Sequence, residues 1–372
     1  MSIGLVHLSI GDRIPAFNLP SQTGEVKEIG DFVGKSMIVC FFPSAIRIDC
    51  TALLSGLQQM QSQYRQLGIE CVAIGPDSVD LHQAIASQNG LTFPILSDGD
   101  RQVSSAYGVT AETSLYGTPS LSSTYTTFVT DTNYRVIKIY RNFDPFTHAQ
   151  QLLIDVKPLI CIEEPRQILQ QAPVLLIPNV LDPELCQQLI ELWHTENGES
   201  GFMRQVDGKT VALMDNNHKI RRDHFMEPSP LKERIKHLLG RKVTPEIWKA
   251  HHFNATRIED FRIVCYDSSK GGFFRPHRDN TTAGTAHRVF AMTINLNAGE
   301  YEGGCLRFPE YGPHLYRPST GSAVIFSCSL LHEATDVMGG RRFALLSFLY
   351  GEEEARRRAA YQQASQQSAV SV

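Results

Sequence analysis

The chain holds eight cysteines but no two are spaced as CxxC. That pattern excludes a zinc ribbon and a dithiol redox motif. The opening residues, MSIGLVHLSIGDR, lack a charged start followed by a long apolar core, so no secretory signal is expected. Free thiols without a signal point to the reducing cytoplasm. Apolar runs such as Met37–Phe42 and Val174–Pro178 are too short for a membrane helix, which needs about 20 residues. Neither sign of charge dominates. With 35 basic and 39 acidic residues the net charge is −4, which leaves no broad basic face for nucleic acid. No repeat of solenoid period is visible. What is present, 372 residues of which 42% are hydrophobic, suffices for two domains of roughly 150–200 residues, each with its own core.

Residues 1–160 alternate between short apolar strands and helices. Ser36–Phe42 and Glu70–Ile74 read as buried strands, with a third over Thr92–Leu96. Thr51–Leu67 has helical spacing at Leu54, Leu57, Met60 and Tyr64, and Asp80–Gln88 is a second helix. Tyr125–Thr130 and Val136–Tyr140 flank the turn Asp131-Thr132-Asn133, and Phe146–Val156 closes the region as a helix. This order suggests a thioredoxin-type α/β sandwich. Residues 161–173, acidic and rich in Gln and Pro, are the expected linker. In residues 174–353 the pattern changes to helices, over about Asp182–Trp193 and Ser229–Leu239, and then to short β-type runs between Gly, Pro and Asn turns. That spacing suggests a β-sandwich or jelly-roll barrel. The tail, 354–372, is polar and expected to fray after a helical start.

The sharpest chemical signal is His277-Arg278-Asp279, with His332 fifty-five residues later and Arg342 ten beyond it. Side chains two apart on an extended segment share a face, so His277 and Asp279 can act together, and a distant strand can supply His332. Two imidazoles and one carboxylate with open positions suit non-haem Fe(II). Arg342 can then pair with a carboxylate in bidentate fashion. HEATD at 332–336 is not HExxH, so a zinc-protease helix is excluded.

CYDSSKGGFFRPHRDN (265–280), YEGGCLRFPE (301–310) and SLLHEATDVMGGRRFALLSFLY (329–350) resemble the Fe(II)/2-oxoglutarate dioxygenases of the prolyl-4-hydroxylase type, over about Val174–Glu352. The resemblance implies a double-stranded β-helix with iron on His277, Asp279 and His332. It gives Arg342, with Arg341 as alternative, the distal carboxylate of 2-oxoglutarate, and Tyr266 a hydrogen bond to it. The implied reaction turns 2-oxoglutarate into succinate and CO2 while a small molecule, peptide or protein is hydroxylated, with L-ascorbate as a further cofactor. A tyrosine that some relatives place on the next strand is absent from FAMTINLN, where Thr293 or Ile294 stands. Phe273 and Phe274 are pocket walls or core. Arg275, Arg278, His287 and Arg288 either meet an acidic substrate or form a solvated basic rim. Gly201–Arg222 is either a lid or an ordinary hairpin.

GDRIPAFNLPSQTGEV, IVCFFPSAIRIDCT, GPDSVDLHQAIASQNGLTFPILSDGDRQVSSAYGV and TTFVTDTNYRVIKIY resemble the peroxiredoxin (AhpC/TSA) family over residues 10–157. Cys50 falls at the peroxidatic position, where a helix N-terminus favours a thiolate. The family's Thr and Pro are replaced by Arg47 and Ile48, its facing arginine by Tyr125, and a second cysteine by Ser55. Arg47 is a candidate for the missing positive charge and Cys161 for a resolving thiol, while Cys40 and Cys71 read as core. The readings are therefore an oxygenase with a redoxin-like partner domain, a thiol peroxidase acting through Cys50, or a binding module. Redoxin-type domains commonly dimerise, so a homodimer through this half is one expectation; no membrane or nucleic-acid partner is expected.

Overall fold

The computed structural model describes residues 7–115, 118–160, 164–206 and 209–370. The chain divides into two units, Met1–Pro165 and Arg166–Val372. No helix among the described residues is long and apolar enough to cross a membrane.

In the first unit a small hairpin, β1 (Asn18–Pro20) and β2 (Val26–Glu28), precedes β3 (Ser36–Phe41), which is buried at every position. A strand covered on both faces must be apolar throughout, and SMIVCF is. There follow α1 (Ile48–Gln66), β4 (Ile69–Gly75), α2 (Val79–Asn89), β5 (Ile95–Ser97) and α3 (Gln102–Ala106). A second hairpin, β6 (Thr110–Leu115) and β7 (Thr118–Ser123), leads to β8 (Thr126–Thr130), β9 (Val136–Arg141) and α4 (His148–Val156). The five-stranded sheet has the order β5-β4-β3-β8-β9, parallel on one side of β3 and antiparallel on the other. Ile38 and Cys40 pack with residues of α1 and α4 on one face, while Met37, Val39 and Phe41 join Phe17, Tyr107 and Phe128 on the other. This is the thioredoxin-like sandwich that the alternation predicts. Local chemistry sets the ends of α2: Ser78 Oγ accepts from Leu81 N, and Gly90 closes the helix at φ +60°.

The second unit opens with β10 (Leu175–Ile177) and α5 (Pro183–Thr195), whose start is set by Asp182 accepting from Leu185 N at 2.7 Å. The short strands β11 (Gly198–Glu199), β12 (Phe202–Val206), β13 (Lys209–Leu213), β14 (Lys219–Ile220) and β15 (Arg222–Phe225) come next, then α6 (Pro230–Lys242) and α7 (Thr244–His251). The rest is β-rich: β16 (Arg257–Ile258), β17 (Arg262–Asp267), β18 (Phe273–His277), β19 (Phe290–Asn295), β20 (Tyr301–Gly303), β21 (Leu306–Arg307), β22 (Leu315–Tyr316), β23 (Ala323–Ser327), β24 (His332–Ala334) and β25 (Val337–Tyr350). Helix α8 (Glu352–Val370) ends the chain and continues to Val370, where the sequence suggests fraying.

The major sheet runs β10-β23-β19-β25-β17-β15-β11, and the minor one β14-β18-β24-β21-β22. Helices α5, α6 and α7 bury Leu185, Leu189, Ile235, Leu239 and Ile247 against one face of the major sheet. On the other face Val264, Tyr266 and Ala344 meet Phe274 and Ala334 of the minor sheet. The architecture is the double-stranded β-helix that the motifs imply.

Candidate metal centre

Antiparallel pairing of β18 with β24 sets His277 directly opposite His332. Asp279 lies two residues beyond, its N–H donating to the carbonyl of Cys328 at 3.0 Å. One ligand atom from each of the three lies within 4.8 Å of the others. His332 Nε2 is 3.3 Å and His277 Nε2 3.5 Å from the Asp279 carboxylate. Both imidazoles are oriented by backbone. His277 Nδ1 lies 2.8 Å from the carbonyl of Arg275 and His332 Nδ1 3.0 Å from that of Leu330. A carbonyl only accepts, so Nδ1 carries a proton in each ring and Nε2 is the nitrogen turned to the cavity. Phe274 stacks on His277 with centroids 3.4 Å apart, and Phe326 packs at 4.6 Å from His332. Burial pushes His332 down to about 4. Burial works against the Asp279 carboxylate, yet His332 and His277 hold it below the ordinary range. Two imidazoles and one carboxylate, open to a cavity, are a fitting donor set for a divalent metal.

That cavity, of about 460 Å³, lies between the two sheets. In the β17–β25 register Tyr266 stands opposite Arg342. The Arg342 guanidinium is buried 5.3 Å from the Tyr266 ring, its Nη2 is 3.4 Å from Asn295 Oδ1, and its Nε has no hydrogen-bond partner. Tyr266 Oη accepts from Arg221 Nη1 at 3.3 Å. Arg341 instead faces outward, half exposed and 3.6 Å from Asp267, so of the two it is Arg342 that lines the cavity. The neighbour of Arg342 on β19 is Asn295, rather than Thr293 or Ile294; Thr293 lines the cavity with a buried, unpartnered Oγ1. Space for the Arg342 stem depends on Gly304, at φ +57°, where a Cβ would lie 3.1 Å from Arg342 Cδ and 2.9 Å from Val337 Cγ2.

The basic residues near the motif do not form one solvated rim. Arg275 pairs with Asp336 and Arg278 with Glu310, both partly exposed, but His287 and Arg288 are buried on Glu259 at 2.7 Å. Their partner is remote in sequence, which is why the local pattern misleads. Within Gly201–Arg222, β12 and β13 form a hairpin whose Phe202, Met203 and Arg204 line the cavity; the tip, 207–208, lies outside the described residues. The hairpin is tied to the loop after the metal motif: Gly284 N donates to Thr210 Oγ1 at 2.9 Å and Ala283 N to Gln205 Oε1 at 3.1 Å. Lys219 carries no signal in the sequence that would mark it as a cavity residue. Burial pushes this cavity lysine down to about 6, and its Nζ donates to Ser200 Oγ and the Gly201 carbonyl.

In the first unit Cys50 stands in the first turn of α1, fully buried. Its Sγ lies 3.0 Å from Tyr125 Oη. Arg47 does not serve as an unpaired cation, because its Nε and Nη2 donate to Asp49 at 3.0 and 2.8 Å. Burial raises the thiol above its ordinary value, opposed by the Tyr125 hydroxyl. Cys40 and Cys71 are buried strand residues, Cys40 pushed up to about 12 by burial. Cys161 lies outside the described residues.

Comparison with known proteins assigns both units. Residues 10–139 match the AhpC/TSA family and residues 261–350 the 2OG-Fe(II) oxygenase superfamily. Peroxiredoxin Bcp of Escherichia coli K12 is 30% identical over 146 residues, covering 39% of this chain and 94% of that protein. A Mycobacterium tuberculosis protein with a peroxiredoxin name is 32% identical over 149 residues, covering 40% of this chain and 95% of that one. The crystal structure of peroxidoxin BcpB from the same genus and species is 25% identical over 41% of this chain and 99% of that chain, with a TM-score of 0.38. Through its first unit the chain belongs to the AhpC/TSA peroxiredoxin family, and its second unit carries a 2OG-Fe(II) oxygenase domain.

Proposed function

We propose that the protein is an Fe(II)- and 2-oxoglutarate-dependent hydroxylase, with Cys50 no longer suited to peroxide reduction. The observation that carries this reading is the convergence of two Nδ1-anchored imidazoles and one carboxylate at a cavity that also holds Arg342. His277, Asp279 and His332 would hold the metal through Nε2, a carboxylate oxygen and Nε2. When bound, Fe(II) supplies the O2 chemistry by which 2-oxoglutarate becomes succinate and CO2 while a substrate C–H becomes C–OH.

The chain's own residues bind and orient. Arg342 presents a buried guanidinium with an unused Nε, suited to a carboxylate in the dry end of the cavity. The Tyr266 hydroxyl accepts from Arg221, which leaves its O–H free to donate to the same carboxylate. Ionised Asp279 holds a negative charge where a dication would sit. Phe274, Phe326 and the β12–β13 hairpin exclude water. A prolyl side chain is the substrate that the motif resemblance suggests. In the first unit, Tyr125 in place of a cation weakens the thiol-peroxidase reading.

The test is anaerobic addition of Fe(II) and 2-oxoglutarate, reading the visible iron-to-keto-acid charge-transfer band. The expected result is a band in the wild type, absent from His332→Ala and weakened in Arg342→Met. Bound iron without a band would refute the role of Arg342.

A further inference from the structure

We propose that the substrate is a small molecule bearing a carboxylate, and that Arg262 is the residue that anchors it. The substrate role rests on the oxygenase reading above; the anion site itself does not.

Along β17, Arg262, Val264 and Tyr266 share the inward face, and opposite them on β25 stand Leu346, Ala344 and Arg342. Tyr266 and Arg342 make one end of the cavity. Arg262 lies four residues away along the strand, about 13 Å at 3.3 Å per residue. The cavity therefore has a guanidinium near each end, with the His277–Asp279–His332 group also in its wall.

Arg262 is the cation whose donors are unspent. Its guanidinium makes no hydrogen bond to any described residue and rests 5.2 Å from the Phe225 ring and 5.7 Å from that of Phe348. The nearest carboxylate, Glu259 at 3.7 Å, already accepts from His287 and twice from Arg288. One carboxylate thus serves two arginines, and Arg288, 3.8 Å over the same Phe348 ring, adds to the positive field at this end. A divalent metal, ionised Asp279, dianionic 2-oxoglutarate and Arg342 would together be neutral, so the one positive charge left by Arg262 and Arg288 on a single Glu259 remains for the substrate. The Arg262 side chain is 22% exposed and lines the cavity, so its donors are open to a ligand there. A planar carboxylate matches its fork, and Phe348, Leu346 and Met292 provide apolar wall for the rest of a small molecule. A prolyl peptide offers no such charge at this end.

The test is calorimetric titration of the full-length protein with benzoate and with its neutral isostere benzamide. The wild type should bind benzoate roughly ten- to a hundredfold tighter than benzamide, the range of a charged hydrogen-bonded contact. Arg262→Met should abolish that preference with an unchanged thermal unfolding profile, and Arg262→Lys should restore part of it. Equal affinity for the two probes, or a preference retained in Arg262→Met, would overturn the proposal. So would Arg262-independent binding of N-acetylproline methylamide together with no binding of benzoate. Arg262-dependent benzoate binding in a protein that gives no Fe(II)–2-oxoglutarate band would strike the oxygenase reading and leave the anion site standing.

Discussion

Cys50 Sγ, in the buried first turn of α1, lies 3.0 Å from Tyr125 Oη, just ahead of β8. A phenol can hydrogen-bond a thiol but brings no positive charge to draw off its proton. Burial raises the thiol above its ordinary value, so the thiolate is a small minority at pH 7. Iodoacetamide should therefore alkylate Cys50 at least about tenfold more slowly than an unstructured cysteine peptide at pH 7, with the rate still rising at pH values where that of the peptide has levelled off. Tyr125→Arg should accelerate the reaction. Mass spectrometry of the Cys50 peptide reads both, and fast alkylation of the wild type at pH 7 would contradict the assignment.

Gly304 controls the seat of Arg342. Gly304→Ala adds a Cβ against Val337 and the Arg342 stem at a left-handed backbone position. The expected cost is about 1–2 kcal/mol of stability together with a raised KM for 2-oxoglutarate. Urea unfolding and succinate formation against co-substrate concentration measure the two effects. An unchanged KM would mean that the Arg342 stem has room to shift.

His148 gives the first unit an acid-sensitive point. Its Nε2 lies 2.9 Å from Thr127 Oγ1 and its ring stacks on Phe143 at 3.5 Å, and burial pushes its pKa down to about 4. The unfolded chain, with an ordinary value near 6.5, takes up the proton first. Stability from neutral His148 is therefore complete above about pH 6.5 and declines as the pH falls towards 4, by up to about 3 kcal/mol. Denaturant unfolding between pH 4 and 7 should show a shallower pH slope in His148→Gln than in wild type.

Glu259 holds His287 and Arg288 together in the interior of the second unit, and those partners keep its carboxyl low, at about 2, against the opposing effect of burial. Glu259→Gln keeps the shape but removes the charge that two arginines share. A loss of about 3 kcal/mol is expected, the usual scale for breaking a buried pair. A lower urea midpoint at an unchanged slope would record it; no shift would mean that solvent reaches the arginines.

The parts legible in the sequence were those fixed by local chemistry. SMIVCF could only be an inner strand, Asp182 announced a helix start, and HRD with a distant His marked the candidate metal group. The parts that stayed hidden depend on pairing across the fold. That Asn295 rather than Thr293 meets Arg342 depends on the register of β19 against β25. His287 and Arg288 looked solvated because Glu259, 28 and 29 residues away, comes to them only in the folded sheet. Strands β6 and β7, TAETSL and TPSLSS, carry too little apolar alternation to stand out. Arg47 is different: Asp49, two residues on, was in plain view as the group that would take its charge.

The backbone carbonyls of Arg275 and Leu330 fix more than the tautomers of His277 and His332. Rings already locked in orientation require no rearrangement when an ion arrives. Filling and emptying the centre would then proceed as ligand exchange on a rigid mould, and the empty protein would keep the shape of the filled one. Such a protein can lose its ion to a chelator and regain it without passing through the unfolded chain.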